Sequence, residues 1–116
     1  MLFLEYPKCS TCRKARKWLD EHGVSYLDRP IHEEKPTVEE LRAWWKQSGL
    51  PLRRFFNTSG QLYRSLGLKE KLEGMSEEEQ LQLLASDGML VKRPLVIGED
   101  FVLVGFKPEE WQNVLG

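Results

Sequence analysis

Neither a long apolar run nor a strong charge excess marks this chain. No stretch approaches the roughly 18 consecutive apolar residues that crossing a bilayer requires, and Leu2-Phe3-Leu4 is too short for the core of a signal peptide. Neither membrane insertion nor secretion is expected, and the cytoplasm is the expected compartment. The formal net charge is −1, from 17 basic and 18 acidic residues, which argues against direct nucleic-acid binding, a role that usually rests on a strong basic excess. No internal repeat or low-complexity tract interrupts the 116 residues, a length that suits a single domain with its own core.

Cysteine is scarce as well. Only Cys9 and Cys12 occur, and a disulfide closing so small a loop adds little to fold stability. In a reducing compartment their C-x-x-C spacing therefore reads as a redox pair or as half of a metal site. No second C-x-x-C is present, and nine residues separate His22 from His32, more than the usual three to five between paired zinc-binding histidines. No metal is expected.

What is present is organised around Tyr6-Pro7-Lys8-Cys9-Ser10-Thr11-Cys12-Arg13-Lys14. Before it, Leu2-Phe3-Leu4 suits a buried strand; after it, apolar residues recur at helical spacing. Cys9 then sits in the turn that opens a helix, with Cys12 one turn in, and the free N–H groups and positive dipole end there favour a Cys9 thiolate. Lys8, Arg13, Lys14, Arg16 and Lys17 crowd the start of that helix while Asp20 and Glu21 lie at its end, a polarity that opposes the dipole by roughly 0.3–1 kcal/mol per exposed charge. The pairs Arg16–Asp20 and Lys17–Glu21 are spaced to recover a few tenths each. A cost borne beside a thiol reads as a positive field for a thiolate or an anion; the alternative is a solvated face with a chance sign pattern.

The helix is expected from about Thr11 to His22, with Cys12, Ala15, Trp18, Leu19 and His22 inward and Gly23 ending it. Val24-Ser25-Tyr26-Leu27 is the expected second strand, closed by Asp28-Arg29-Pro30. A helical stretch follows. Thr37 to Glu40 forms a capping box ahead of Val38, Leu41, Trp44 and Trp45; Gly49 stops that helix; Leu50–Phe56 and Leu62–Leu68 read as short helical pieces around an Asn57–Gly60 turn; and Ser76 to Glu79 caps a helix ending at Asp87-Gly88. Arg53-Arg54-Phe55-Phe56 with Arg64 could be a basic and aromatic surface, but phenylalanines at such spacing read as core, as do Trp44 and Trp45. Pro94–Ile97 and Phe101–Val104 flank a Gly98-Glu99-Asp100 turn as a hairpin, and Pro108 opens a last helix returning Trp111, Val114 and Leu115 to the sheet. The order β-α-β, helices, β-β-α, with C-x-x-C after the first strand, fits an α/β thioredoxin-like fold. Residues 1–30 and 90–116 would form its core, and about 31–89 a helical insertion between the halves, all within one domain over 1–116.

Taken together, Tyr6 to Ala15, Asn57-Thr58-Ser59-Gly60, Lys92-Arg93-Pro94 and Val104-Gly105-Phe106 resemble the ArsC/Spx family across nearly the whole chain, including its small YusI- and YffB-type members. The resemblance implies a nucleophilic Cys9 and an Arg93-Pro94 pair facing it, the proline cis as in many thioredoxin-like proteins. It also implies that Cys12 resolves the disulfide, as in the redox switch of Spx. Lys8, Ser10, Thr11, Arg13 and Pro94 are the residues expected around the thiolate. The implied function is thiol–disulfide exchange on a small thiol or disulfide substrate, with no bound cofactor and with glutathione or thioredoxin as electron donor. An alternative is a Spx-like redox-sensing regulator docking to RNA polymerase. Arsenate reduction fits less well: arsenate reductases of the family surround the oxyanion with three arginines, and only Arg93 matches, the other two positions falling near Asn57 and Gly105.

Overall fold

A computed structural model describes residues 1–116. Four strands form one sheet in the order β2-β1-β3-β4, built from β1 (Leu2–Glu5), β2 (Leu27–Pro30), β3 (Leu95–Ile97) and β4 (Val102–Val104). β1 runs parallel to β2 and antiparallel to β3, and β3 pairs antiparallel with β4. Helix α1 (Ser10–Glu21) connects the two parallel strands, and α6 (Pro108–Leu115) follows the hairpin. Between β2 and β3 lie α2 (Val38–Ser48), α3 (Gln61–Ser65), α4 (Leu68–Lys71) and α5 (Glu77–Ser86), joined by 3-10 turns at Leu52–Phe55, Leu72–Gly74 and Gly88–Leu90. No helix is long and apolar enough to cross a membrane.

Strand alternation sorts the core onto two faces. Phe3, Val96 and Leu103 stand in one row across the sheet, and that row packs with Ala15 and Leu19 of α1 and Trp111 of α6. Leu4, Leu95 and Val104 form the next row; it meets the larger cluster of the inserted helices, including Leu41, Trp44, Phe55, Phe56 and Leu84. Phe55, Phe56 and Trp44 are thus core residues, as their spacing indicated. The two capping boxes are both closed, Thr37 with Glu40 and Ser76 with Glu79, and Gly49 ends α2 at φ 69°.

Four expectations need correction. The second strand is Leu27–Pro30 rather than residues 24–27. It is an edge strand, where polar residues and proline are tolerated, and its side chains are held by ion pairs, Asp28 to Arg16 and Arg29 to Glu40. His22 is exposed, stacking on Trp18 with ring centres 3.8 Å apart, and Val114 is exposed too. Gly67, at φ 66°, breaks the expected Leu62–Leu68 helix into α3 and α4. Arg16 leaves Asp20 and instead reaches Glu5 at 3.1 Å and Asp28 at 3.2 Å, because both carboxylates lie on the sheet face that α1 covers, the face of Phe3.

That last contact accounts for Glu5, the one buried charged residue. Burial and the neighbouring Asp28 carboxyl raise its pKa above the ordinary value near 4.5, against the pull of Arg16. The folded state thus holds this proton more tightly than the unfolded chain does. Its contribution to stability is present at pH values below the unfolded pKa and is lost as pH rises through the folded one. Glu5→Gln should therefore gain stability relative to the parent as pH is raised from about 4 to 7, measured by urea unfolding. A difference that stays constant over that range, or reverses, would contradict this account.

Candidate functional site: a thiol at the head of a cationic cleft

Cys9 is the N-cap of α1, extended at φ −84° and ψ 120°, and its sulfur accepts the Cys12 backbone N–H at 3.4 Å. The Tyr6 carbonyl fixes the preceding turn by accepting the Cys9 N–H at 3.0 Å. Cys9 is partly exposed, whereas Cys12, on the inward face with Ala15 and Leu19, is buried. Burial alone would raise the Cys9 pKa. Hydrogen bonds from the Cys12 thiol and backbone and from Arg93, together with the Arg93 charge, outweigh it and bring Cys9 below the ordinary value near 9.0. Burial and the adjacent Cys9 push Cys12 the other way, to about 12.

The two thiols should therefore separate in reactivity. Alkylation at about pH 6–7 is expected to modify Cys9 and to leave Cys12 almost untouched in the folded protein. Mass analysis of each single cysteine variant checks this; faster labelling of Cys12 would reverse the roles.

A cleft of about 440 Å³ opens beside Cys9. Its wall is assembled from distant segments. The backbone of Phe55 to Asn57 is tied to Leu90 to Lys92 through Lys92 N–H to Phe55 O at 2.8 Å, Asn57 N–H to Leu90 O at 2.8 Å and a bridge between Phe56 and Val91. This brings Arg54 and Asn57 to the same opening as Lys92 and Arg93. The other wall is Val104-Gly105-Phe106-Lys107 at the end of β4; there Gly105, at φ 79°, donates its N–H to the Pro94 carbonyl at 2.8 Å. The Arg93-Pro94 peptide bond is cis. Arg54, Lys92, Arg93 and Lys107 thus put four cations around the thiol, and no carboxylate lines the cleft.

Arg93 is held without an acidic partner. Its guanidinium carbon lies 5.3 Å from the centre of the Tyr6 ring, Nη1 makes a long 3.4 Å hydrogen bond to the Met89 carbonyl and lies 3.7 Å from its sulfur, and Nε is buried without a partner.

Of the residues expected around the thiolate, Thr11 and Arg93 line the cleft. Lys8, Ser10 and Arg13 are exposed and Pro94 is buried, and none of the four lines it. Sequence reasoning missed Arg54, Lys92 and Lys107. The signal for two of them lay in the motifs: Lys92 stands in Lys92-Arg93-Pro94 and Lys107 directly follows Val104-Gly105-Phe106. Beside Arg93, the one arginine that matches the family's set, Arg54 supplies the cleft with a second guanidinium. No group of three or more His, Cys, Asp or Glu side chains converges in a metal-binding geometry. His22 stacks on Trp18, and His32 packs against Tyr6.

A mixed sheet flanked by helices, with a cysteine at the head of the first helix and a cis-proline directly before β3, defines an α/β protein of the thioredoxin-like class. The chain belongs to the ArsC family, whose family model matches residues 4–114. It is 57% identical to the YusI protein of Bacillus subtilis over 113 residues, covering 97% of this chain and 96% of that one. It is 30% identical to the global transcriptional regulator Spx of Enterococcus faecalis over 109 residues, covering 94% of this chain and 81% of Spx. The crystal structure of an ArsC family related protein from Bacteroides fragilis superimposes with a TM-score of 0.95 at 61% identity, covering 97% of this chain and 95% of that one.

Proposed function

We propose that the protein carries out thiol–disulfide exchange on anionic disulfides, with Cys9 as nucleophile and Cys12 as resolving thiol. The observation that supports this most is a partly exposed Cys9 with a lowered pKa, one helical turn from a buried second thiol. In the first step the Cys9 thiolate attacks one sulfur of the substrate, the substrate S–S bond breaks, and the departing thiolate takes up a proton. The mixed disulfide removes the negative charge from Cys9. Because that charge is one of the causes holding the Cys12 pKa up, behind burial itself, its loss eases deprotonation of Cys12. Cys12 then attacks the Cys9 sulfur, releasing the second substrate thiol and leaving a Cys9–Cys12 disulfide. Two electrons and two protons from an external thiol or dithiol, of the glutathione or thioredoxin type, restore the reduced pair.

The four cations and the lack of any cleft carboxylate favour substrates with negative charge near the disulfide. Steady-state reduction of such a disulfide, with glutathione and thioredoxin systems as donors in parallel, tests the proposal; no turnover with either donor refutes it. A second reading, a redox-sensing regulator whose cysteine state governs docking to a protein such as RNA polymerase, draws on the 30% identity to Spx. Redox-dependent capture of RNA polymerase without turnover would favour it. Arsenate reduction ranks third. Only two of the four cleft cations, Arg54 and Arg93, are guanidiniums, and lysine holds a tetrahedral anion less rigidly than a bidentate fork.

A further inference from the structure

We propose that Tyr6 is the positioning residue for Arg93: its ring is a neutral shelf that holds the guanidinium in the cleft beside Cys9 without cancelling its charge. Arginines are usually fixed by carboxylates, and one placed beside Arg93 would fix it firmly. It would also neutralise the positive potential that a thiolate in the same cleft requires. No acid pairs with Arg93, and apart from the Cys9 sulfur it serves, its polar contacts are the long ones to Met89. What remains is the Tyr6 ring, 5.3 Å from the guanidinium carbon. The quadrupole of an aromatic face attracts a cation and leaves its net charge whole.

Tyr6 is also well placed to transmit position. Its carbonyl takes the Cys9 N–H at 3.0 Å, so the residue that orients the guanidinium also fixes the turn carrying the sulfur. The ring is steadied by His32, whose ring packs edge-on at 5.0 Å and whose Nε2 lies 3.6 Å from Glu33. Cys9 itself is faced by Cys12 and by the cations of the cleft. Sequence reading placed Tyr6 in the motif but gave it no role. The inference rests on the assignment of Cys9 as a thiolate, and it does not depend on disulfide turnover.

The test is the pH profile of Cys9 alkylation in the full chain by a neutral reagent, so that a failed turnover assay and a failed Tyr6 role can be told apart. Tyr6→Leu should move the Cys9 inflection upward by about 0.5 on the pH scale, in the direction of Arg93→Ala. Tyr6→Phe, which keeps the aromatic face, should restore it. In the Tyr6→Leu/Arg93→Ala double variant the inflection should stand where Arg93→Ala alone puts it, since the ring acts through the guanidinium. An inflection in Tyr6→Leu equal to that of the parent, or a shift that adds in full to that of Arg93→Ala, overturns the proposal. Replacing the Tyr6 ring by pentafluorophenylalanine keeps its bulk and reverses its quadrupole, which covers the case in which Tyr6→Leu fails to fold. It should raise the inflection as the leucine does, and an unmoved inflection overturns the electrostatic role.

Discussion

Cys9→Ser is expected to abolish disulfide reduction, by roughly 10³-fold or more in kcat, because the hydroxyl is a far weaker nucleophile than a thiolate and no other accessible thiol is present. The fold should survive. The Cys9 side chain is partly exposed, and a serine hydroxyl can accept the Cys12 N–H that the sulfur now accepts at 3.4 Å, serine being a favoured N-cap. Cys12→Ser separates the two steps. It leaves the nucleophile in place and removes the group that resolves the mixed disulfide, so one equivalent of substrate thiol should be released and the protein should gain the mass of the other half. Retention of more than a tenth of parental turnover in Cys9→Ser would remove Cys9 from the mechanism. Unimpaired multiple turnover in Cys12→Ser would show that an external thiol resolves the adduct and that Cys12 serves packing alone.

The placement of the two cysteines was legible in the sequence because local signals set it: an apolar stripe at helical period puts Cys12 inward with Ala15 and Leu19, and the preceding strand places Cys9 at the cap. The closed boxes at Thr37 and Ser76 were legible for the same reason, each needing four consecutive residues. β2 was not, because an edge strand need not be apolar. Val24 and Tyr26 pack against the small core cluster from outside the strand, while Asp28 and Arg29 inside it are held by ion pairs to α1 and α2. Nor was the cationic cleft. Arg54, Lys92 and Lys107 are far apart in the chain, and only the pairing of Phe56 with Val91 and the bond from Gly105 to the Pro94 carbonyl bring them to one opening. Charge at the start of α1 drew attention to Lys8 and Arg13, whereas the charge that lowers the Cys9 pKa is that of Arg93.

Arg93→Ala should lower kcat/KM for an anionic disulfide by roughly ten- to a hundredfold, the equivalent of one charge-assisted hydrogen bond of about 1.5–3 kcal/mol. Two effects act in the same direction. Removing the guanidinium takes away both its hydrogen bond to the Cys9 sulfur and its charge, so the thiol pKa rises and less thiolate is present at neutral pH. It also takes one of four cations from a cleft in which no carboxylate opposes them, which weakens capture of a negative substrate. A pair of substrates divides these effects. Dianionic dithiobis(nitrobenzoate) should suffer from both, and neutral hydroxyethyl disulfide from the first only. The same logic makes Lys92→Ala and Lys107→Ala selective for the anion, and salt near 1 M, where the Debye length is about 3 Å, should erase the preference in the parent protein. Arg93→Lys should recover part of the loss, since it keeps the charge but not the planar fork or the stacking on Tyr6. Equal losses for the two disulfides in Arg93→Ala would confine Arg93 to tuning the thiol. Equal rates in parent and variant would make it a structural residue, leaving the charge of the cleft to Arg54 and the lysines.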